Sequence, residues 1–416
     1  MIDRRLASAS KPFLWGAAIS AHQSEGNNRN SDSWLLEHLE PTLFVEPAGE
    51  ACDSYNRYRE DIAIAADLGL NCYRFGIEWA RLEPAFGHFS DEAFAHYQDM
   101  LAACSEYGLQ AMVTLSHFTV PLWFAKRGGF EVADAADLFV HFAQEVMRRL
   151  GAQIDYVTTF NEANIPLLLR LRPEYKGPRA AIRRAMIAEA ARQTKAPAFS
   201  SLLFADPSRT APVLLDAHRK AYVAIKRERP NVPVGITLTM QDIQAAGPFS
   251  IARFVRRSLY GGWLKVAASH SDFVGVQTYT RARIGLFGAL PPPPEAELTA
   301  AGYEFYPQAL GNMIRFAARK IGKPIYVTES GIATEDDSRR IAFIDAGVAE
   351  LRTCIAEGIP VHGYIHWSLL DNFEWTDGFA KRFGLVAVDR VTFERRPKPS
   401  AYHLGGMSSE ELNLSN

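Results

Sequence analysis

A chain of 416 residues that is 48% hydrophobic, 22% charged and 11% aromatic has ample material for a folded core, which excludes intrinsic disorder and a coiled coil. Lys plus Arg number 45 against 47 Asp plus Glu, a formal net charge of −2, so no overall field favours nucleic acid or an anionic membrane. A neutral or locally recognised partner is expected instead.

At the N-terminus Arg4 and Arg5 precede a short apolar stretch, Phe13 to Ala21. Lys11 and Pro12 interrupt the approach, and Glu25 and Asp32 follow without a small-residue cleavage pattern, so the stretch is read as part of the fold and not as a leader. A first strand is predicted at Phe13–Ile19, then a helix at Tyr55–Leu68 stopped by Gly69, a strand at Asn71–Ile77, a helix at Phe94–Tyr107 and a strand at Ala111–Ser116. A helix at Asp137–Leu150, a strand at Tyr156–Phe160, a helix at Pro212–Arg229 and a strand at Val234–Leu238 follow. The chain continues with strands at Phe273–Thr278 and Ile325–Thr328, a helix at Arg339–Glu357 stopped by Gly358, and a last strand at His362–Trp367. The proline run Pro291–Pro294 reads as a stiff loop near the mouth of the fold. Eight apolar, β-rich runs alternating with amphipathic stretches predict an α/β fold, a single (β/α)8 TIM barrel spanning residues 1–416, with an open doubly wound sheet as the alternative.

Other chemistries lack their first requirement. No GxGxxG, GxxxxGK or HExxH occurs, and Cys52, Cys72, Cys104 and Cys354 show neither CxxC nor zinc-ligand spacing, so no cofactor and no metal is expected. The cysteines read as buried free thiols, which suits a reducing, cytoplasmic setting. No stretch approaches the roughly 18 apolar residues of a membrane helix.

Polar residues gather where the predicted strands end: Gln23 and Glu25, Arg74 and Glu78, His117, Asn161 and Glu162, Tyr279, Glu329, then Trp367, Glu374 and Trp375. A packed core does not explain that, because buried charge is costly unless paired. Glu162 and Glu329 stand at the ends of strands four and seven, across a barrel mouth from each other. Paired carboxylates suggest glycosyl transfer, one protonating the leaving oxygen while the other stabilises or attacks the anomeric carbon. Trp15, Phe118, Trp123, Trp367 and Trp375 are expected near the same mouth, as flat faces for sugar rings.

Four motifs in order, Phe13-Leu-Trp-Gly-Ala-Ala-Ile-Ser-Ala-His-Gln-Ser-Glu-Gly26, Thr159-Phe-Asn-Glu162, Val327-Thr-Glu-Ser-Gly331 and Trp367-Ser-Leu-Leu-Asp-Asn-Phe-Glu-Trp375, make the chain resemble the retaining β-glycosidases of glycoside hydrolase family 1. The resemblance runs from about residue 11 to about residue 404. It implies that Glu162 is the general acid/base and Glu329 the nucleophile of a double displacement, with a small-molecule β-glycoside as substrate. An ionised Glu329 is expected to keep Glu162 protonated for the first step, and its esterification to release that proton for the second. Arg74 and Tyr279 match the partners that hold the nucleophile ionised and aimed. Gln23, His117, Asn161 and Glu374 match residues that hydrogen-bond sugar hydroxyls, Asn161 at the 2-hydroxyl. Trp367 matches the platform under the ring, and Trp375 a further glycone contact. The carboxylate at Glu374 implies an unphosphorylated glycone, glucose ahead of galactose or fucose, and Glu162 argues against a thioglycosidase.

Several positions depart from the family pattern. Ala163 replaces a proline, Ser330 an asparagine, Gln277-Thr278-Tyr279 an Asn-Tyr-Tyr, Phe118 a tryptophan, Thr239 an asparagine and Tyr303 a tryptophan. Most of these are expected to fall on the leaving-group side, and Ile165–Phe204 reads unlike the usual loop there, so an unusual, bulky or apolar aglycone is expected. Other classes remain open at this level: a transglycosidase using the same site, a catalytically silent glycan-binding relative, and a metal hydrolase built on His117, His362 and His366. Oligomeric state is not legible.

Overall fold

The computed structural model describes residues 12–170 and 177–414. Arg4, Arg5 and Lys11 lie outside the described residues. Eight parallel strands close on themselves: β1 (Leu14–Ala18), β2 (Cys72–Gly76), β3 (Gln110–Ser116), β4 (Tyr156–Phe160), β5 (Val234–Thr239), β6 (Phe273–Gln277), β7 (Ile325–Ser330) and β8 (Val361–Trp367). Each pairs with its neighbours in chain order, and β1 closes the ring on β8 from Leu14↔Gly363 to Ala18↔Trp367. The predicted strands coincide with these to within one or two residues at each end.

Each strand is followed by a long helix: α1 (Ser54–Asp67), α2 (Asp91–Glu106), α3 (Ala135–Arg149), α4 (Pro207–Glu228), α5 (Ala252–His270), α6 (Ala309–Ile321), α7 (Asp337–Ala356) and α8 (Pro399–Leu414). Several of them start earlier than their apolar periodicity, and in α2 and α4 polar caps nucleate the first turn. The Ser90 side chain accepts from the Ala93 amide, so α2 begins at Asp91, three residues before Phe94. Asp206 does the same for the Ser208 amide, and Pro212, expected to open α4, sits in its second turn. Gly69 stops α1 as predicted: at φ +83° it lets the Leu70 amide reach back to the Ala65 carbonyl.

Strand parity fixes what can reach the mouth. Leu14 and Ala18 of β1 face the lumen with Cys72, Met112, Tyr156, Phe273, Tyr326 and Ile365, which plug the barrel. Trp15 and Ala17 face outward into the helical layer. Trp15 is fully buried there against Phe13 and Tyr364, ring centroids 5.1 and 5.8 Å away, so it is core and not part of the mouth. Short excursions extend two strands beyond the rim: Asp242–Ala245 after β5 pairs in parallel with Arg281–Ile284 after β6.

Candidate active site

At the carboxyl ends of the strands lies a cavity of about 460 Å³. Gln23, His117, Asn161, Glu162, Tyr279, Glu329, Trp367, Glu374 and Trp375 all line it, delivered by the ends of six strands, β1, β3, β4, β6, β7 and β8, or the loops after them. Arg74, on β2, lies fully buried beneath. Phe118 is in the wall, whereas Trp123 is not: its indole donates to the Glu83 carbonyl within the helical layer. Glu25 is paired with Arg81 at 2.7 Å and accepts from Tyr97, and Glu78 caps the short helix after β2, so both are structural.

Glu329 accepts at both oxygens. The Arg74 guanidinium donates to Oε1 at 2.6 Å and the Tyr279 hydroxyl to Oε2 at 2.6 Å. Burial pushes the Glu329 carboxyl up from its ordinary value, and Arg74 and Tyr279 pull it back. A carboxyl that accepts a charge-assisted bond at one oxygen and a phenol at the other is held as an acceptor, the form a nucleophile needs. Glu162 faces the same cavity from β4, its backbone in the left-handed region at φ +43°. Phe118 at +72° and Trp375 at +52° share that conformation, so three wall residues are held in backbone states that cost energy for side chains with a Cβ.

Arg74 also sets the hydrogen-bond polarity of the neighbouring groups. Its second nitrogen donates to Asn161 Oδ1 at 2.5 Å, and Gln277 Nε2 donates to the same oxygen at 2.8 Å. Two donors on one atom identify it as the amide oxygen. Asn161 Nδ2 therefore faces His117 Nε2, 3.1 Å away, as the donor. Burial, with the Arg74 charge, holds His117 well below its ordinary range, so the ring is neutral and its proton sits on Nδ1. Among the described residues that Nδ1 is buried and has no hydrogen-bond partner.

The remaining wall is apolar with polar tips. Trp367 stacks on His117 at 5.5 Å, and its indole donates to Glu374 Oε1 at 3.4 Å. Burial pushes the Glu374 carboxyl well above its ordinary value. Gln23 accepts from Ser20 and donates to the Phe373 carbonyl, which anchors its amide while leaving hydrogen-bonding capacity unused. Gly331 is required after β7 because a Cβ there would meet the Trp367 carbonyl at 2.0 Å.

Residues 7–247 and 270–411 match the model of glycosyl hydrolase family 1. The chain belongs to glycosyl hydrolase family 1. Its architecture and membership make it a retaining O-glycoside hydrolase. The chain is 27% identical to β-glucosidase A of Acetivibrio thermocellus, over 94% of this chain and 96% of that one. Among solved structures, the apo form of β-glucosidase 1317 is 46% identical with a TM-score of 0.93, covering 96% of this chain and 98% of that one. β-Glycosidase BGL167 is 44% identical with a TM-score of 0.90, covering 96% of each.

Within this family 1 hydrolase the departures do not all fall on the leaving-group side. Gln277 holds Asn161, and Phe118 packs on His117 and Trp375 at 5.0 and 5.3 Å, so both belong to the polar cluster opposite. Thr239 and Tyr303 line the cavity, while Ala163 and Ser330 are buried behind it. Two supports went unread in the sequence. Gln277 looked only like a departure, and His22, inside the first motif, stacks under Trp375 at 5.5 Å while Glu37 holds its Nε2 at 2.6 Å. Among the described residues no three His, Cys, Asp or Glu side chains converge as metal ligands. His362 is exposed at the opposite end of β8, and His366 is buried against Tyr364 and not in the cavity. All four cysteines are buried and free. No described helix is long and apolar enough to cross a membrane.

Proposed function

We propose that this family 1 hydrolase is a β-glucosidase acting on unphosphorylated β-glucosides with an apolar aglycone. Glu329 attacks the anomeric carbon while Glu162 gives its proton to the leaving oxygen. Water, deprotonated by Glu162, then releases the sugar from the glycosyl ester. The observation that carries this reading is the clamp of Arg74 and Tyr279 on the two oxygens of Glu329, in a cavity that Glu162 shares. Asn161 and His117 hydrogen-bond adjacent hydroxyls, Asn161 at the 2-hydroxyl, where contacts strengthen in the transition state. Gln23 and Glu374 bind the far hydroxyls, Trp367 lies under the ring and Trp375 adds a further glycone contact. A phosphorylated glycone would bring a second acidic group against the buried Glu374. The relatives' names point to glucose. On the other side, Ile165, Leu168, Leu169, Leu203 and Phe204 form an apolar wall with Tyr303, which suits an aryl or polycyclic leaving group. Buried free thiols accord with a cytoplasmic setting.

The test is covalent trapping with a 2-deoxy-2-fluoro-β-glucoside carrying an activated leaving group, followed by peptide mapping. A glucosyl ester on Glu329, absent from Glu329→Gln, is the expected result. An ester elsewhere, or turnover by Glu329→Gln at the parent rate, overturns the assignment. Equal kcat/KM on cellobiose and on aryl glucosides overturns the apolar aglycone alone.

A further inference from the structure

The net charge of −2 conceals a segregated patch beside the cavity mouth. Residues 246–261, leading into α5, and residues 283–294, in the loop after β6, contain no acidic residue and carry Arg253, Arg256, Arg257 and Arg283. Among the described residues none of these four arginines forms an ion pair, whereas nearby Arg281 is bonded to Glu304, and Arg339 to Glu297. Backbone hydrogen bonds join the two segments, from Ala246 to Ile284 at 2.9 Å and from Ile251 to Gly285 at 3.2 Å. Around that seam the largest apolar side chains point into solvent: Phe249 is 76% exposed, Phe254 72% and Phe287 99%. Leu286 and Leu290 are about half exposed beside them. Phe287 sits at the tip of a tight turn closed by the Gly285 amide on the Gly288 carbonyl.

Exposed apolar residues scattered singly need no explanation, but three phenylalanines and two leucines on one rim, next to unpaired arginines, do. A second copy of this chain is a poor occupant, since a two-fold interface would set the arginines of one protomer against those of the other. The chemistry complementary to the patch is an acyl boundary for the aromatic tip and a layer of negative charge for the arginines. We propose that this rim docks peripherally on an anionic lipid surface, with the Phe287 turn inserted and Arg253, Arg257 and Arg283 on the headgroups. The excursions that carry the patch leave the carboxyl ends of β5 and β6, so docking holds the cavity mouth beside the bilayer. This does not depend on the catalytic roles assigned above.

The experiment is co-sedimentation of the full chain with vesicles of phosphatidylcholine alone and of phosphatidylcholine with an equal part of phosphatidylglycerol. Phe287→Ser and the double variant Arg253→Glu/Arg257→Glu are run alongside, with turnover of a soluble aryl β-glucoside as the control for folding. The expected result is pelleting with the anionic vesicles only, weakened by salt and reduced about tenfold or more in both variants at unchanged turnover. No pelleting with anionic vesicles, or equal pelleting of parent and variants, overturns the proposal. Concentration-dependent association of the parent chain that Phe287→Ser abolishes, without vesicle binding, overturns it in favour of self-association.

Discussion

Removing the Arg74 guanidinium as Arg74→Met tests the arrangement at its centre. The side chain is fully buried, and its two terminal nitrogens serve Glu329 Oε1 at 2.6 Å, the Thr328 carbonyl at 3.2 Å and Asn161 Oδ1 at 2.5 Å. Breaking one side of a buried ion pair costs about 3–5 kcal/mol, because the other charge is left uncompensated. Glu329 can avoid part of that cost by taking up a proton. Burial already pushes its carboxyl up, and without Arg74 only Tyr279 opposes it. Without Arg74 the carboxyl therefore rises further above its ordinary value. A nucleophile must be ionised, so the acidic limb of kcat/KM moves to higher pH. At neutral pH the rate falls about a hundredfold or more and recovers in part as the pH is raised. The assay is a pH profile of kcat/KM on an aryl β-glucoside, with Arg74→Lys as the conservative companion. Lysine restores charge but cannot span Glu329 and Asn161 together, so it should return the acidic limb toward the parent position without restoring the full rate. A uniform loss across pH, with the limb unmoved in Arg74→Met, would refute the claim that Arg74 governs the ionisation of Glu329.

Gln277→Ala removes a donor from the buried Asn161 oxygen, a loss of about 1–3 kcal/mol, or about 5- to 150-fold in kcat/KM. Because Gln277 acts through Asn161, the loss should be large on a β-glucoside and small on its 2-deoxy analogue; equal losses on both would mean a purely structural role. Asp32 offers a pH test of stability. Burial pushes its carboxyl from 3.8 to about 6, more than the Ser201 hydroxyl and the Val120 and Ser33 amides offset. The folded state then binds the proton more tightly than the unfolded chain, so the stability this group contributes is present below pH 3.8 and lost as pH rises through about 6. The advantage of Asp32→Asn over the parent in urea unfolding should therefore grow by about 3 kcal/mol between those limits. A difference that does not change with pH would refute it.

The barrel was legible because each strand is a short apolar run buried on both faces, and each helix carries one apolar stripe between polar punctuation. What periodicity could not supply was parity relative to the lumen. Trp15 and Leu14 are equally apolar neighbours, yet closure of β1 against β2 and β8 points Leu14 inward and Trp15 outward. Trp123 misled for a similar reason: nearness to a strand end says nothing about which layer a side chain enters. The residues lining the cavity were mostly legible, because buried polar groups at strand ends have no structural use that a core would supply. Their supports were not. Gln277 meets Asn161 across a sequence separation of 116 residues, and a register irregularity next to Gln277, where β6 pairs with β7, places it there.

That irregularity bears on how the cavity is organised. Arg74 on β2 binds acceptors on β4 and β7, so one buried guanidinium links three staves of the ring across the lumen. Trp367 and Phe383 belong at once to the interior cluster and to the cavity wall. The lower barrel can therefore be packed apolar and rigid, while the polar layer above it is oriented by a few charge-assisted bonds instead of by packing. Orientation of this kind is worth more in transition-state stabilisation than the bonds contribute to folding, because the groups do not have to reorganise when charge develops. The same division accounts for one departure: on the bonded side Gln277 keeps the donor that Asn161 Oδ1 requires.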